Sequence, residues 1–129
     1  MGSHIFFSDC PWCSRSHTRG VLQQLDSDLS FNGQGVPVCP YCLGTGLIPI
    51  KKINSKNVLS KWHAMSIMVN KIRKENETLA IRSEFLLDED TDIKFKENNK
   101  KIINIMKEAL AIVGNKAPKN CYARLILKN

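Results

Sequence analysis

The chain lacks any uninterrupted apolar stretch of about 18 residues, the length at which a membrane-spanning helix becomes possible. Residues 1–7 also lack the basic start and the longer apolar stretch that mark a secretory signal. Both absences favour a cytoplasmic, reducing location without membrane contact. Residues 1–4 resemble a cloning remnant, so we expect no function of them.

Aromatic residues make up only 7% of the chain, which argues against a large stacking surface for single-stranded nucleic acid. Catalytic signatures are also missing from the sequence. It contains no phosphate-binding glycine loop, no H-E-x-x-H motif and no evident Ser-His-Asp set, and it has only three histidines. We therefore expect a binding protein rather than an enzyme.

The net charge of +7 is unevenly distributed along the sequence. Residues 51–82 and residues 100–129 each carry a net charge of +6, whereas residues 1–50 carry −1 and residues 83–99 carry −4. A basic excess of this size attracts polyanions such as nucleic acid through long-range electrostatics. The alternative is that these basic side chains only form the solvated faces of helices.

Four of the five cysteines form two C-P-x-C pairs, Cys10 with Cys13 and Cys39 with Cys42, and 25 residues lie between the pairs. Two residues between cysteines allow both sulfurs to face one metal ion from a tight turn, and two such turns complete the tetrahedral site of zinc. We therefore predict one structural Zn²⁺ with these four ligands and no open position for a catalytic water. The fifth cysteine, Cys121, is expected to be a small buried apolar residue.

Two histidines offer an alternative ligand set. His17 follows the first pair by four positions and His63 lies in a helical segment, so either could replace one cysteine as a ligand. Because four cysteines already complete the coordination of zinc, we expect both histidines to lie at the surface or at the edge of the core.

The pattern of apolar residues predicts an α+β fold in two parts. Residues 5–50 are expected to form a zinc-binding module of short strands and two cysteine turns. Residues 51–129 are expected to form a basic helical body. Its two main helices are expected to pack antiparallel and to be joined by an acidic connector at 84–92. The predicted elements are strands at 5–7 and 47–50, a short helix within 16–29, helices at 55–82 and 97–113, and a strand or helical turn at 121–127.

The second cysteine pair continues as Leu43-Gly44-Thr45-Gly46. Glycines at these positions let the backbone turn sharply, so that amides can donate to the thiolates. Residues 39–46 are similar to the CxxCxGxG unit in the cysteine-rich region of J-domain co-chaperones, and the two pairs together resemble zinc-ribbon modules, including those of some phage transcription antiterminators. This resemblance covers residues 10–46 and implies a two-knuckle zinc-binding module.

The first pair supports a different resemblance. Residues 5–13, a predicted strand followed by C-P-W-C, look like the beginning of a glutaredoxin, and C-P-Y-C is itself common in that family. This resemblance implies a thiol oxidoreductase in which a following helix lowers the pKa of the first thiol. Gly44 and Gly46 oppose such a helix after Cys42, whereas a helix is possible after Cys13.

The favoured interpretation is a zinc-binding regulator that binds nucleic acid, or a protein of the transcription or replication machinery, through its basic helices. Phosphate contacts with little sequence preference are expected from basic side chains near the cysteines and along the helices. These candidates are Arg15, Arg19, Lys51, Lys52, Lys56, Lys61, Lys71, Arg73 and Lys74, with Lys100, Lys101 and Lys107 from the second helix.

A second interpretation is an adaptor, such as a phage- or plasmid-encoded factor that binds a host protein. Trp12 and Tyr41 lie inside the two cysteine turns, where part of each ring is expected to be exposed. Exposed aromatic side chains often anchor protein interfaces, but the same rings could simply shield the thiolates from water. The salt dependence of binding to generic DNA or RNA separates the two interpretations.

Overall fold

The computed structural model describes residues 6–13, 19–21, 38–50, 56–83 and 89–128. Two short strands and three helices in this part of the chain confirm the predicted α+β class. The elements are β1 (Phe6–Asp9), β2 (Leu47–Ile50), α1 (Lys56–Ser83), α2 (Glu89–Val113), a 3₁₀ turn (Gly114–Lys116) and α3 (Tyr122–Leu127).

The strands β1 and β2 form an antiparallel pair with Phe6 opposite Ile50 and Asp9 opposite Leu47. This pairing confirms the two predicted strand segments. The ladder continues one step beyond β1, because the amide of Cys10 donates to the carbonyl of Gly46 at 2.9 Å. The pairing of the strands therefore places the first cysteine turn beside the second.

The helix α1 matches the predicted helix at 55–82, and its apolar stripe is buried except at Leu59, which is half-buried. Trp62, Met65, Val69 and Ile72 recur at spacings of three and four and all lie in the main hydrophobic cluster. The same cluster contains residues of α2 and α3 and also Leu43 from the second cysteine turn. One core thus connects the second cysteine turn to the helices.

The helix α2 begins at Glu89, eight residues before the predicted start at 97, so the prediction of an acidic loop is wrong for residues 89–92. Carboxylates are favourable in the first turn of a helix, where they face the positive end of the helix dipole. The buried face also extends through this turn, since Thr91, Phe95 and Asn98 are buried at helical spacing. Residues 84–88 of the predicted connector lie outside the described residues.

The helices α1 and α2 pair near the segment that connects them. Asn98 Nδ2 donates to Asn76 Oδ1 at 2.8 Å in the interior, and Lys94 Nζ lies 3.3 Å from a carboxylate oxygen of Glu75. These contacts join residues at similar distances from the connection, as in an antiparallel helical hairpin.

The predicted helix within 16–29 is not present at residues 19–21, and its other residues lie outside the described part of the chain. Arg19 instead forms a parallel β-bridge with Cys121, which directly precedes α3. Of the two structures predicted for residues 121–127, a strand or a helical turn, the chain forms a short helix. The bridge at Cys121 joins the start of this segment to Arg19. Within the described residues, every helix is too short or too polar to cross a membrane.

Candidate metal centre

The four paired cysteines converge on one point. The sulfurs of Cys10, Cys13, Cys39 and Cys42 all lie within 4.8 Å of one another. The Sγ atoms of Cys10 and Cys39 are 3.8 Å apart, and those of Cys13 and Cys42 are 3.3 Å apart. Four sulfurs placed tetrahedrally about 2.3 Å from a metal ion would be separated by about 3.8 Å. The cluster therefore has the size and the donor type of a site that could hold a metal ion.

The second cysteine turn is built by a tight backbone loop. The amide of Leu43 donates to the carbonyl of Cys39 at 2.9 Å, and the amide of Thr45 donates to the carbonyl of Cys42 at 3.0 Å. Leu43 and Gly44 have φ values of 55° and 83°, in the left-handed region that favours glycine. This backbone path turns the chain around the sulfurs and returns it into β2.

The backbone of Gly20 packs against the second cysteine turn. The amide of Cys39 donates to the carbonyl of Gly20 at 2.8 Å. Gly20 has a φ of 100°, and a Cβ atom at this position would lie 2.6 Å from the backbone of Gly44. Only glycine allows these two backbone segments to approach so closely. Gly20 was missed by sequence reasoning, because its partner lies 24 residues away and no local pattern marks it.

Thr45 is a second supporting residue that sequence reasoning missed. Its side chain is fully buried, and Oγ1 donates to the carbonyl of Cys42 at 2.6 Å. Oγ1 also accepts a hydrogen bond from the amide of Leu47 at 3.2 Å. The signal that could have identified Thr45 is its position between the two glycines of the turn.

The electrostatics of the four thiols favour a bound cation. Hydrogen bonding with the Cys13 thiol lowers the pKa of Cys10, whereas hydrogen bonding with Cys10 and burial raise the pKa of Cys42. The opposite directions reflect one cause, since neighbouring sulfurs share protons and cannot all be charged without a compensating cation. A metal ion would replace these protons and stabilise the thiolates together.

The remaining candidate ligands lie elsewhere or outside the described residues. Among the residues described, the four cysteines are the one group of ligand side chains close enough to hold a metal ion. His63 is exposed on α1 and takes no part in it, and His17 lies outside the described residues. Cys121 is buried in the main cluster, where burial raises the pKa of its thiol, in agreement with the apolar role expected for it.

The two aromatic residues of the cysteine turns meet at the surface. The rings of Trp12 and Tyr41 stack with centroids 4.3 Å apart, and about half of each side chain is exposed. Behind them, Trp62 Nε1 donates to the carbonyl of Tyr41 at 2.8 Å. A shallow cavity of about 290 Å³ lies beside the two rings, which line it together with Pro49 and His63.

The predicted phosphate contacts whose side chains are described on α1 do not share one side of the helix. Lys61, Lys71 and Lys74 are exposed and Arg73 is half-buried. At about 100° per residue, these four positions spread over about 240° of the helix circumference. Arg19 is exposed and lies 3.2 Å from a carboxylate oxygen of Asp9.

The other predicted contacts divide into two groups. Lys100, Lys101 and Lys107 are exposed on α2. Lys56 is the first residue of α1, but its side chain lies outside the described part. Arg15, Lys51 and Lys52 lie outside the described residues altogether. The structure therefore places six of the predicted contacts at the surface of the helices without joining those of α1 into a patch.

No protein-family model, curated protein or solved structure matches this chain. The resemblance to zinc-binding modules therefore rests on the cysteine motifs and on the geometry of the four sulfurs.

Proposed function

We propose that the protein is a non-catalytic, zinc-stabilised binding protein. The observation that carries this proposal is the convergence of four sulfurs within 4.8 Å. Four thiolates in a small tetrahedral cluster bind zinc in preference to harder cations such as calcium or magnesium. The bound ion would cross-link the two cysteine turns, and its free energy of binding would contribute directly to folding.

The surroundings of the second turn support a structural role rather than thiol exchange. Reactive C-x-x-C thiols commonly lie at the beginning of a helix. After Cys42 the chain instead passes through Leu43 and Gly44 at positive φ and then enters β2. Sulfur contacts also run between the two turns, from Cys10 to Cys39 at 3.8 Å and from Cys13 to Cys42 at 3.3 Å, as one shared site requires.

The partner that we propose is nucleic acid, bound through its phosphate backbone. The chain carries a net charge of +7. In the described part of the structure, the ion pairs between side chains involve Arg19 and Lys94, and the predicted contacts Lys61, Lys71, Lys74, Lys100, Lys101 and Lys107 take no part in them. Unpaired surface cations of this kind favour binding that depends on charge and has little sequence preference.

Metal analysis and a salt titration test the two parts of this proposal. Elemental analysis should give one zinc per chain. All five thiols should react only after unfolding, because four would bind the metal ion and Cys121 is buried in the main cluster. Binding to unrelated DNA and RNA duplexes should weaken steeply and similarly as salt rises from 50 to 200 mM, by about tenfold or more for a contact with several phosphates. A metal-free protein with two reactive thiols would contradict the zinc site and favour thiol exchange.

A second candidate is an adaptor that binds another protein beside the metal centre. The stacked, half-exposed rings of Trp12 and Tyr41 and the adjoining shallow cavity favour this possibility. The salt titration separates the two candidates, because an adaptor of this kind would show no measurable binding to either nucleic acid even at 50 mM salt.

A further inference from the structure

Three lysines of α2 share one side of the helix. Lys96, Lys100 and Lys107 are exposed, and helical geometry places them within about 40° of one another, opposite the buried face of the helix. They extend over about 16 Å along the axis. This arrangement contrasts with α1, where the predicted cations surround the helix. We call these three residues the α2 lysine stripe.

Two carboxylates of α2 flank the α2 lysine stripe near its N-terminal end, because Asp92 lies four residues before Lys96 and Glu97 lies three residues before Lys100. Glu108 lies about 100° around the axis from Lys107. Lys94, which lies off the stripe, is the α2 lysine that contacts carboxylates, those of Glu75 and Glu97, among the residues described. The positive charge of the stripe is therefore not neutralised by an ion pair within the described structure.

On its other side the stripe borders a basic cavity. Lys107 and Leu110 are three residues apart and are therefore neighbours on the helix surface. Leu110 lines a cavity of about 460 Å³ together with side chains from the end of the chain. The other lining residues are Lys119, Arg124, Leu125, Leu127 and Lys128. The lining thus contains three cations and no carboxylate.

Arg124 is held in place by neutral groups. Its Nε donates to the carbonyl of Ala117 at 3.2 Å, and its Nη2 donates to the carbonyl of Gly114 at 2.8 Å. These contacts fix the guanidinium without cancelling its charge, so less conformational entropy is lost when an anion binds. The sequence from 109 to 128 contains four basic residues and no acidic one, so the surroundings of the cavity are also positive.

The geometry points to a single track for the phosphate backbone of nucleic acid, formed by the α2 lysine stripe and the cavity of Lys119, Arg124 and Lys128. This inference rests on the proposed nucleic-acid function and moves its main surface from α1 to α2 and α3. The stripe alone spans about five base-pair steps of 3.4 Å. The leucines of the cavity would also suit an acidic peptide, but the stripe outside the cavity favours an extended polyanion.

Two variants test this inference, and a third serves as the control for the first. The first is Lys96→Gln/Lys100→Gln/Lys107→Gln, and the second is Lys119→Gln/Lys128→Gln, which leaves the structurally bound Arg124 in place. The control, Lys61→Gln/Lys71→Gln/Lys74→Gln, removes the same charge as the first from exposed positions of α1. Affinity for a 20-base-pair duplex is measured by fluorescence anisotropy between 50 and 200 mM salt. Zinc content and helical circular dichroism confirm that each variant is folded.

We expect the affinity of the stripe variant for the duplex to fall at least about tenfold. The slope of log K against log salt concentration should decrease in magnitude by about 3 in this variant. The affinity of the α1 control should change less than about twofold. The cavity variant should reduce the slope by about 2. Equal losses in the stripe variant and the control would overturn the track and leave nucleic-acid binding intact. If the wild-type protein showed no binding to the duplex, the proposed function itself would be overturned. If it then bound an acidic, leucine-containing peptide and the cavity variant did not, the cavity would be a protein-docking site instead.

Discussion

Both cysteines of the second turn are fully buried, whereas the first turn has one buried cysteine, Cys10, and one half-buried cysteine, Cys13, although both turns have the sequence C-P-x-C. The buried cysteines of the second turn are Cys39 and Cys42, and the side chain of Trp12 in the first turn is 51% exposed. The two turns of one cluster therefore differ in how far water can reach their cysteines, and the difference lies at Cys13.

The difference arises from what each turn connects. The second turn continues into a loop whose Gly44 carbonyl accepts a hydrogen bond from the amide of Ala123 in α3 at 2.7 Å. Its Leu43 is part of the main hydrophobic cluster. The first turn, by contrast, is attached through β1, through the contacts between sulfurs and through the stacking of Trp12 on Tyr41. The second turn therefore connects the four-cysteine cluster to the main core, and the first turn completes the cluster from its more exposed side.

Removing one thiolate from each turn should give the largest difference between them. Cys42→Ser leaves a poorly coordinating hydroxyl in a buried position, so we expect zinc affinity to fall more than 100-fold and the β1–β2 pairing to be lost. In Cys13→Ser water can reach the vacant position, so the loss should be at least tenfold smaller. Competition with a chromophoric chelator measures both affinities. Equal losses would show that burial does not distinguish the two turns.

Removing zinc with a chelator from the wild-type protein is the control for these variants. It should abolish the same strand pairing while most of the circular dichroism of α1 and α2 remains, since those helices also pack through their own apolar faces. If the helices melted together with the strands, the two turns could not be compared independently of the whole fold.

The backbone contact behind the second turn should give the next largest effect. Gly20→Ala places a Cβ atom 2.6 Å from the backbone of Gly44 at a φ of 100°, so we expect it to destabilise the protein by about 3 kcal/mol or more. Gly114→Ala is a matched control, because Gly114 also has a positive φ of 63° but has open space around it. The control should cost about 1 kcal/mol. Urea unfolding of the zinc-loaded proteins measures both, and similar costs would mean that the close approach is unimportant.

What the sequence predicts well in this protein is local. Two residues between cysteines fix how both sulfurs can face one ion, and spacings of three and four define the buried stripe of α1. Both patterns involve residues that are close together in the sequence, so they can be recognised without knowledge of the tertiary structure. The ligand set and the long helix could therefore be predicted from residue spacing alone.

What the sequence predicts poorly is non-local or ambiguous. An acidic run such as residues 88–92 is equally suited to a solvated loop and to the first turn of a helix, and the burial of Thr91 decides between them. The bridge between Arg19 and Cys121 joins residues about a hundred positions apart. The cations of α1 looked like one patch in the sequence, because the list of charges ignores the direction in which each residue leaves the helix.

A smaller effect is expected from Thr45, whose hydroxyl supports the second turn alone. Thr45→Val removes a buried hydroxyl that donates to the carbonyl of Cys42 and leaves the amide of Leu47 without this acceptor. We expect a loss of about 1–3 kcal/mol of stability. Thr78→Val is the control, since Thr78 is exposed and its hydroxyl bonds only to the carbonyl of Lys74 within α1 among the contacts described. Its cost should be within about 0.5 kcal/mol of zero.

The smallest effect is expected where the two turns meet at the surface. Trp12 and Tyr41 stack at 4.3 Å between ring centroids, one ring from each turn. A double-mutant cycle with Trp12→Leu and Tyr41→Leu should give a coupling free energy of about 0.5 kcal/mol, the low end for aromatic pairs, because half of each ring remains in water. Urea unfolding of the four zinc-loaded proteins measures this coupling. A value near zero would mean that the metal centre alone holds the exposed turn against the buried one, and a value above about 1.5 kcal/mol would show that the rings are a main part of that attachment.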